Sequence, residues 1–202
     1  AAQPIFTADF EAATDGVPDG WRFSADRGEC AGSWDEAEPP GGGSSIRLNV
    51  PEDATARATW SYADRIPAQP DTCYRLSFKV MIATPGSEGG YVILYENGLG
   101  DPDHWHMTGR FGGTQDWREE AITFRTGADC EWFSLQCKLW HATGFVWYDD
   151  VIIEQISEDE LEVEPSVADY RPEDDGSPLQ LMFYPAQRRP DISLAKKELG
   201  NW

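Results

Sequence analysis

A period of two restricts the fold of this chain more than any other feature of its sequence. In YRLSFKVMIA (74–83), Leu76, Phe78, Val80 and Ile82 fall on one side of an extended backbone, and in WFSLQCKLW (132–140), Phe133, Leu135, Cys137 and Leu139 do the same. Successive strand side chains point to opposite faces, so both segments predict half-buried strands. SSIRLNV, YVILYE, EEAITFRT and FVWYDDVII read similarly, and PPGGGSS, TPGSEGG, NGLGDPD and FGGTQD between them carry loop chemistry. No segment before residue 157 has helical periodicity. Short strands with Gly, Pro and Asp turns predict an all-β fold, an antiparallel sandwich or barrel.

One strand contains an anomaly. In GFVWYDDVIIE (144–154), Asp149 and Asp150 interrupt a run of β-branched and aromatic residues. Aspartate is depleted in strands because its side chain competes for backbone hydrogen bonds. A buried carboxylate there needs a compensating partner.

The 202 residues suffice for one full core. Residues 1–156 are expected to form it. The stretch 157–178 (SEDELEVEPSVADYRPEDDGSP) is acidic, carries prolines and lacks an apolar face, which predicts a linker or strap. Residues 179–202 include LQLMFYPAQRRPDISL, an extension that reads as one or two strands or the start of a downstream domain.

A balance of 16 Lys+Arg against 36 Asp+Glu gives a net charge of -20. Such a chain repels phosphate backbones, anionic membranes and polyanionic substrates, so the expected partner is neutral or a cation, with no nucleic acid and no membrane. No run of about 18 apolar residues is present. The opening AAQPIF suits a mature end beside small residues after signal cleavage, which predicts a secreted or cell-surface protein. Cys30, Cys73, Cys130 and Cys137 allow three fully paired connectivities, among which the sequence does not choose; buried thiols are the alternative. None forms a C-x-x-C, and the alternation around Cys137 predicts its burial.

Five fragments in order, ADFEAATDGVPDGW (8–21), GGGSSIRL (41–48), YRLSFKV (74–80), TQDWREEAITFRT (114–126) and GFVWYDDVII (144–153), resemble the jelly-roll carbohydrate-binding modules of families four, sixteen and twenty-two. The likeness spans about residues 5–156. It implies an antiparallel β-sandwich of jelly-roll type with a structural calcium ion between the first strand and the last. The positions that match are Glu11, the carbonyl of Thr7, the turn from Gly43 to Ser45, and Asp149; Asp150 points the other way. Calcium takes six to eight hard oxygen ligands, so carboxylates and carbonyls from distant segments suit it. The resemblance also assigns Trp21 and Trp117 to packing.

Alternation places Trp132, Ser134, Gln136, Lys138 and Trp140 opposite the core face of their strand. A pyranose stacks its C–H face on an indole and exchanges hydrogen bonds with amides and charged groups, so Trp132, Gln136, Lys138 and Trp140 are the candidate ligand-binding residues. Trp60, Tyr62, Tyr95 and Trp105 are further candidates among an aromatic complement that includes nine tryptophans. His104 and His106 flank Trp105 near Asp101 and Asp103 without an assured third metal ligand, and read as polar rim residues near a glycan.

No G-x-S-x-G, P-loop, HExxH or dinucleotide fingerprint occurs, and no nucleophile has an evident base. The expected function is a noncatalytic carbohydrate-binding module, targeting a neutral β-linked polysaccharide such as a glucan or xylan for an attached or associated glycan-degrading enzyme. A structural or protein-interaction sandwich, and a lyase or hydrolase on a jelly-roll scaffold, are the alternatives.

Overall fold

The structure is a computed structural model; it describes residues 3–35, 43–52, 55–98 and 104–161, with the side chains of 85–87 excepted. One compact unit is Ala1–Glu162. Most of the expected 157–178 linker and all of the 179–202 extension lie outside the described residues, as do Asp101 and Asp103.

Thirteen strands follow in order: β1 (Gln3–Ala8), β2 (Ala13–Thr14), β3 (Val17–Pro18), β4 (Trp21–Asp26), β5 (Ala31–Asp35), β6 (Ser45–Val50), β7 (Arg57–Tyr62), β8 (Ile66–Pro67), β9 (Cys73–Glu96), β10 (Trp105–Met107), β11 (Phe111–Arg125), β12 (Trp132–Trp140) and β13 (Gly144–Gln155). Every pairing is antiparallel. The first half of β9 lies between β13 and β11, with β6, β5 and β1 beyond β13. Its second half lies between β12 and β10, with β7 and β4 beyond β12. The strand therefore belongs to both layers of a sandwich.

TPGSEGG, expected as a loop, is strand backbone at this crossing. Glycine explains the difference: a Cβ on Gly89 would collide with the Trp140 carbonyl and the Ala142 Cβ, so only a bare backbone can pass there. FGGTQD is likewise strand rather than loop, the opening of β11, where register shifts at Gly112 and Gly113 bend the chain.

The layers meet through the residues that alternation places inside. Ile46 and Leu48 from β6, Leu76 and Phe78 from β9, Phe133, Leu135 and Leu139 from β12, and Val146, Tyr148, Val151 and Ile153 from β13 form one buried cluster. Full burial of each large aliphatic or aromatic side chain contributes about 1.5–3 kcal/mol. Cys137 is buried in the same cluster, and Cys73 and Cys130 are also buried; among the described residues no disulfide is present. Burial pushes the Cys130 thiol up to about 12. A short 3-10 turn, Glu158–Glu160, follows β13, tied back by Arg75–Glu160 and Arg125–Glu158 ion pairs.

Candidate ligand groove and cation site

A strand with one face in the core must present its alternate residues elsewhere, and β4, β7, β12 and the second half of β9 present theirs to a common groove of ≈ 280 Å³. Ser24 and Asp26 come from β4, Arg57 and Thr59 from β7, Tyr95 from β9, and Gln136, Lys138 and Trp140 from β12. The cross-strand register sets these neighbours: Trp140 faces Arg57, Lys138 faces Thr59, and Ser24 faces Thr59 from the other side.

Trp140 forms the wall. Its indole Nε1 donates to Thr59 Oγ1 at 3.2 Å, and the Tyr91 ring meets it edge-on at 5.9 Å. The Lys138 ammonium lies 3.8 Å and the Arg57 guanidinium 4.6 Å from the indole ring, within cation–π range. Lys138 is only 3 % exposed, and burial, with Arg57 adding like charge, pushes its amine down to about 8. Arg57 Nη1 reaches Asp26 Oδ2 at 3.7 Å. Two buried polar atoms in this groove, Gln136 Oε1 and Arg57 Nε, have no hydrogen-bond partner among the described residues. A buried acceptor and donor left open cost about 1–3 kcal/mol each unless a ligand or water meets them. A polyhydroxylated ligand does both, because a hydroxyl donates and accepts.

Of the candidates read from the sequence, the structure brings Tyr95, Gln136, Lys138 and Trp140 together. Trp132 shares their strand face but stands eight residues, roughly 27 Å, from Trp140. There its ring lies over Gly98 and under the Arg65 guanidinium at 4.4 Å. Trp105 is opposite Tyr95 in the β10–β9 ladder, with 37 % of its surface exposed. Trp60 is a correction: it is 2 % exposed, packs 5.6 Å from Phe23, and donates its indole N–H to the Arg47 carbonyl across the core. It pairs with Cys137 and so shares the core face. Tyr62 packs against Phe6 and Trp21 at 4.8 and 5.7 Å, away from the groove. Sequence reasoning missed Arg57, Thr59, Ser24 and Asp26. The alternation in RATWSY, with Ala58 and Trp60 inside and Arg57, Thr59 and Ser61 opposite, was the available signal.

His106 is not a rim residue of this groove. Its Nε2 lies 2.6 Å from Glu96 Oε1 and its ring stacks on Phe124 at 3.9 Å. Burial alone would raise the Glu96 carboxyl, but the His106 hydrogen bond and the Gly127 amide more than offset it and hold the carboxyl below its ordinary range.

On β13, between β9 on one side and β6 and β1 on the other, the opening anomaly finds its surroundings. Asp149 is buried, and its amide neighbour Asp150 donates to Asp149 Oδ1 at 2.7 Å. Asp150 takes a left-handed φ of 47° at a register break between β13 and β9, which turns its side chain to Lys79 Nζ at 2.6 Å. Burial pushes the Asp149 carboxyl up to about 6, with the negative charges of Asp150 and Glu11 adding to it. Glu11 Oε1 accepts the Ser44 amide at 2.8 Å and fills the space where Gly43, at φ 115°, lacks a Cβ. Ser45 is fully buried and its hydroxyl oxygen has no partner among the described residues. Thr7 lies in the β1–β13 ladder opposite Ile152, across the register break that holds Asp150. Two carboxylates that feel each other and an orphaned buried hydroxyl fit a hard, oxygen-seeking cation. Among the described residues no group of three or more His, Cys, Asp and Glu gathers, so a cation here would draw most of its ligands from hydroxyl and backbone oxygens.

The molecule has the jelly-roll β-sandwich fold of carbohydrate-binding modules. Among similar solved structures, the CBM22-1 xylan-binding domain of Xyn10C from Paenibacillus barcinonensis superposes with a TM-score of 0.53 at 15% identity, over 78% of this chain and 97% of that domain. The Stig cyclase Fisc of Fischerella sp. TAU gives 0.54 at 14% identity, over 77% and 98%. The enzymatically active domain of bacteriophage CBA120 tailspike protein 4 gives 0.54 at 14% identity over 73% of this chain, which spans only 22% of that one. These likenesses are of fold. No family model matches the sequence. No curated protein is similar to it.

Proposed function

We propose that this chain is a noncatalytic carbohydrate-binding module that holds a neutral, β-linked polysaccharide of glucan or xylan type in the groove between β4, β7, β12 and β9. The observation that carries the reading is the pair of buried, unpartnered polar atoms, Gln136 Oε1 and Arg57 Nε, beside the Trp140 wall. Hydroxyls satisfy both, and the pyranose ring supplies apolar area to Trp140 and Tyr95. The net charge of -20 disfavours polyanionic chains at long range. The xylan-binding Xyn10C domain supports the ligand class through a shared fold.

A structural calcium ion is part of the proposal. Glu11, Asp149, the Ser45 hydroxyl and backbone oxygen near Thr7 and Gly43 would hold it, and it would neutralise a carboxylate that burial otherwise destabilises. The module itself is residues 1–156 with the short 3-10 turn, in a secreted or cell-surface protein whose other parts act on glycans. Among the described residues no helix is long and apolar enough to cross a membrane.

A glycan array read with calorimetric titration tests the function. Binding of a neutral β-glucan or xylan oligosaccharide, lost in Gln136→Leu, is the expected result. Wild-type protein that takes up no neutral β-glycan at millimolar concentration overturns it in favour of a structural module.

A further inference from the structure

The groove contains a charge that a neutral sugar does not explain. Lys138 is almost fully buried, and among the described residues no carboxylate pairs with it. Its neighbours are the Trp140 and Tyr95 rings and a second cation, Arg57. Arg57 has Asp26 as counter-ion at 3.7 Å, so the groove keeps one positive charge in surplus within a chain of net charge -20. An ammonium buried without a counter-ion is costly, and the missing partner is an anion.

We infer that Lys138 and Arg57 form a subsite for a carboxylate carried as a sparse substituent, a uronic acid, on an otherwise neutral polysaccharide. The inference rests on the proposed carbohydrate-binding function and specifies its ligand. The two scales of charge select this class together. Screening shortens each charge's reach to about 8 Å at physiological salt, so a polymer with a charge on every residue is opposed by the acidic side chains all along its path, outside the groove as well as in it. An isolated carboxylate seated in the groove meets the local surplus. Arg57 Nε, buried and open, and the three N–H groups of Lys138 are donors to its two oxygens, while Gln136 Oε1 is left to accept from a neighbouring hydroxyl.

The titratable and charged groups that line the groove with Lys138 are Asp26 on β4, Arg57 on β7 and Tyr95 on β9. Burial pushes the Tyr95 hydroxyl up, away from neutral pH. The amine of Lys138, depressed to about 8, is the charge that this groove loses in mildly alkaline solution.

The test is calorimetric titration of the full chain with three probes: a neutral β-1,4-xylo-oligosaccharide, the same oligosaccharide bearing one glucuronic acid, and free glucuronic acid. The decorated oligosaccharide is expected to bind about tenfold or more tighter than the neutral one at pH 7. That ratio should fall toward one in Lys138→Met, whose fold is checked by its unfolding curve, and in wild type well above pH 8, where no substitution is involved. Equal affinity for the two oligosaccharides at pH 7 overturns the subsite and leaves the carbohydrate-binding function standing. Free glucuronic acid bound as tightly as the decorated oligosaccharide overturns a polymer substituent as the occupant. No binding of either oligosaccharide overturns the parent function together with the subsite.

Discussion

The buried hydroxyl of Tyr148 on β13 donates to the backbone carbonyl of Lys138 on β12 at 2.6 Å, and lies 3.2 Å from the Tyr91 carbonyl on β9. One side chain thus fastens the strand that carries Asp149 to the strand that carries the groove lysine. Tyr148→Phe keeps the ring and removes that fastening. We expect it to lower unfolding stability by about 1–3 kcal/mol, read as a shift of the urea midpoint with unchanged slope. An unaltered midpoint would show that the hydroxyl contributes nothing net.

Chelation tests the proposed cation site. A ligand that binds the native state and not the unfolded chain stabilises by mass action, so EDTA is expected to lower the melting temperature and excess calcium to restore it. Glu11→Gln and Asp149→Asn should each abolish the restoration. A melting curve indifferent to chelator, with no metal in the protein as purified, removes calcium from the account.

Acidity should act on the metal-free protein with an unusual sign. The Asp149 carboxyl titrates at about 6 when folded and near 3.9 when unfolded, so the native state holds the proton more tightly. Its contribution favours the fold at acid pH and is lost as pH rises through 6, a swing of about 3 kcal/mol. Urea midpoints of metal-free protein should rise as pH falls from 7 toward 5, and Asp149→Asn should flatten that slope relative to wild type. Calcium should cancel it, because the ion favours the ionised carboxylate.

Two tryptophans should separate cleanly. Trp60→Ala empties a core position and is expected to cost about 3–5 kcal/mol of stability. Trp140→Ala removes the groove wall, and should weaken oligosaccharide affinity by about 1–3 kcal/mol while costing less stability than the Trp60 change. Paired calorimetry and unfolding curves decide. Equal stability losses would place Trp140 in the core as well.

A chain ending after Leu161 should fold with its binding intact. It keeps Ile156, whose amide bonds the Cys73 carbonyl, and the Arg75–Glu160 and Arg125–Glu158 pairs. Surface pairs of this kind contribute little, so ending after 156 should cost at most about 1 kcal/mol more. A molten product at 161, seen by near-ultraviolet circular dichroism, would mean that the later residues belong to the same fold.

Where alternation was long, the sequence was legible. Phe133, Leu135, Cys137 and Leu139 are all buried as their spacing requires, and Gln136, Lys138 and Trp140 reach the groove from the opposite parity. Trp60 was misread because its residue type, rather than its position in a short strand, suggested a sugar platform; parity with Ala58 puts it inside. The glycine corner of β9 was misread as a loop because glycine marks both loops and close backbone passages, and only the tertiary approach of Trp140 and Ala142 distinguishes them. The surplus charge of the groove was invisible for another reason. Arg57 and Lys138 are 81 residues apart in sequence and meet only through the β7–β12 register, whereas the overall charge pointed the other way.

The ladder between β1 and β13, with Gln3 opposite Gln155, dictates an order of events during synthesis. Closing a loop of that size costs about 4 kcal/mol of chain entropy, and no pairing with β13 can begin until the ribosome has released it. The amino-terminal strand must wait, unpaired, through nearly the whole translation of the sandwich. Glu11 waits with it, so the proposed ion site would form last. Calcium would then act as the latch on a completed molecule and could not serve as a template for a growing one.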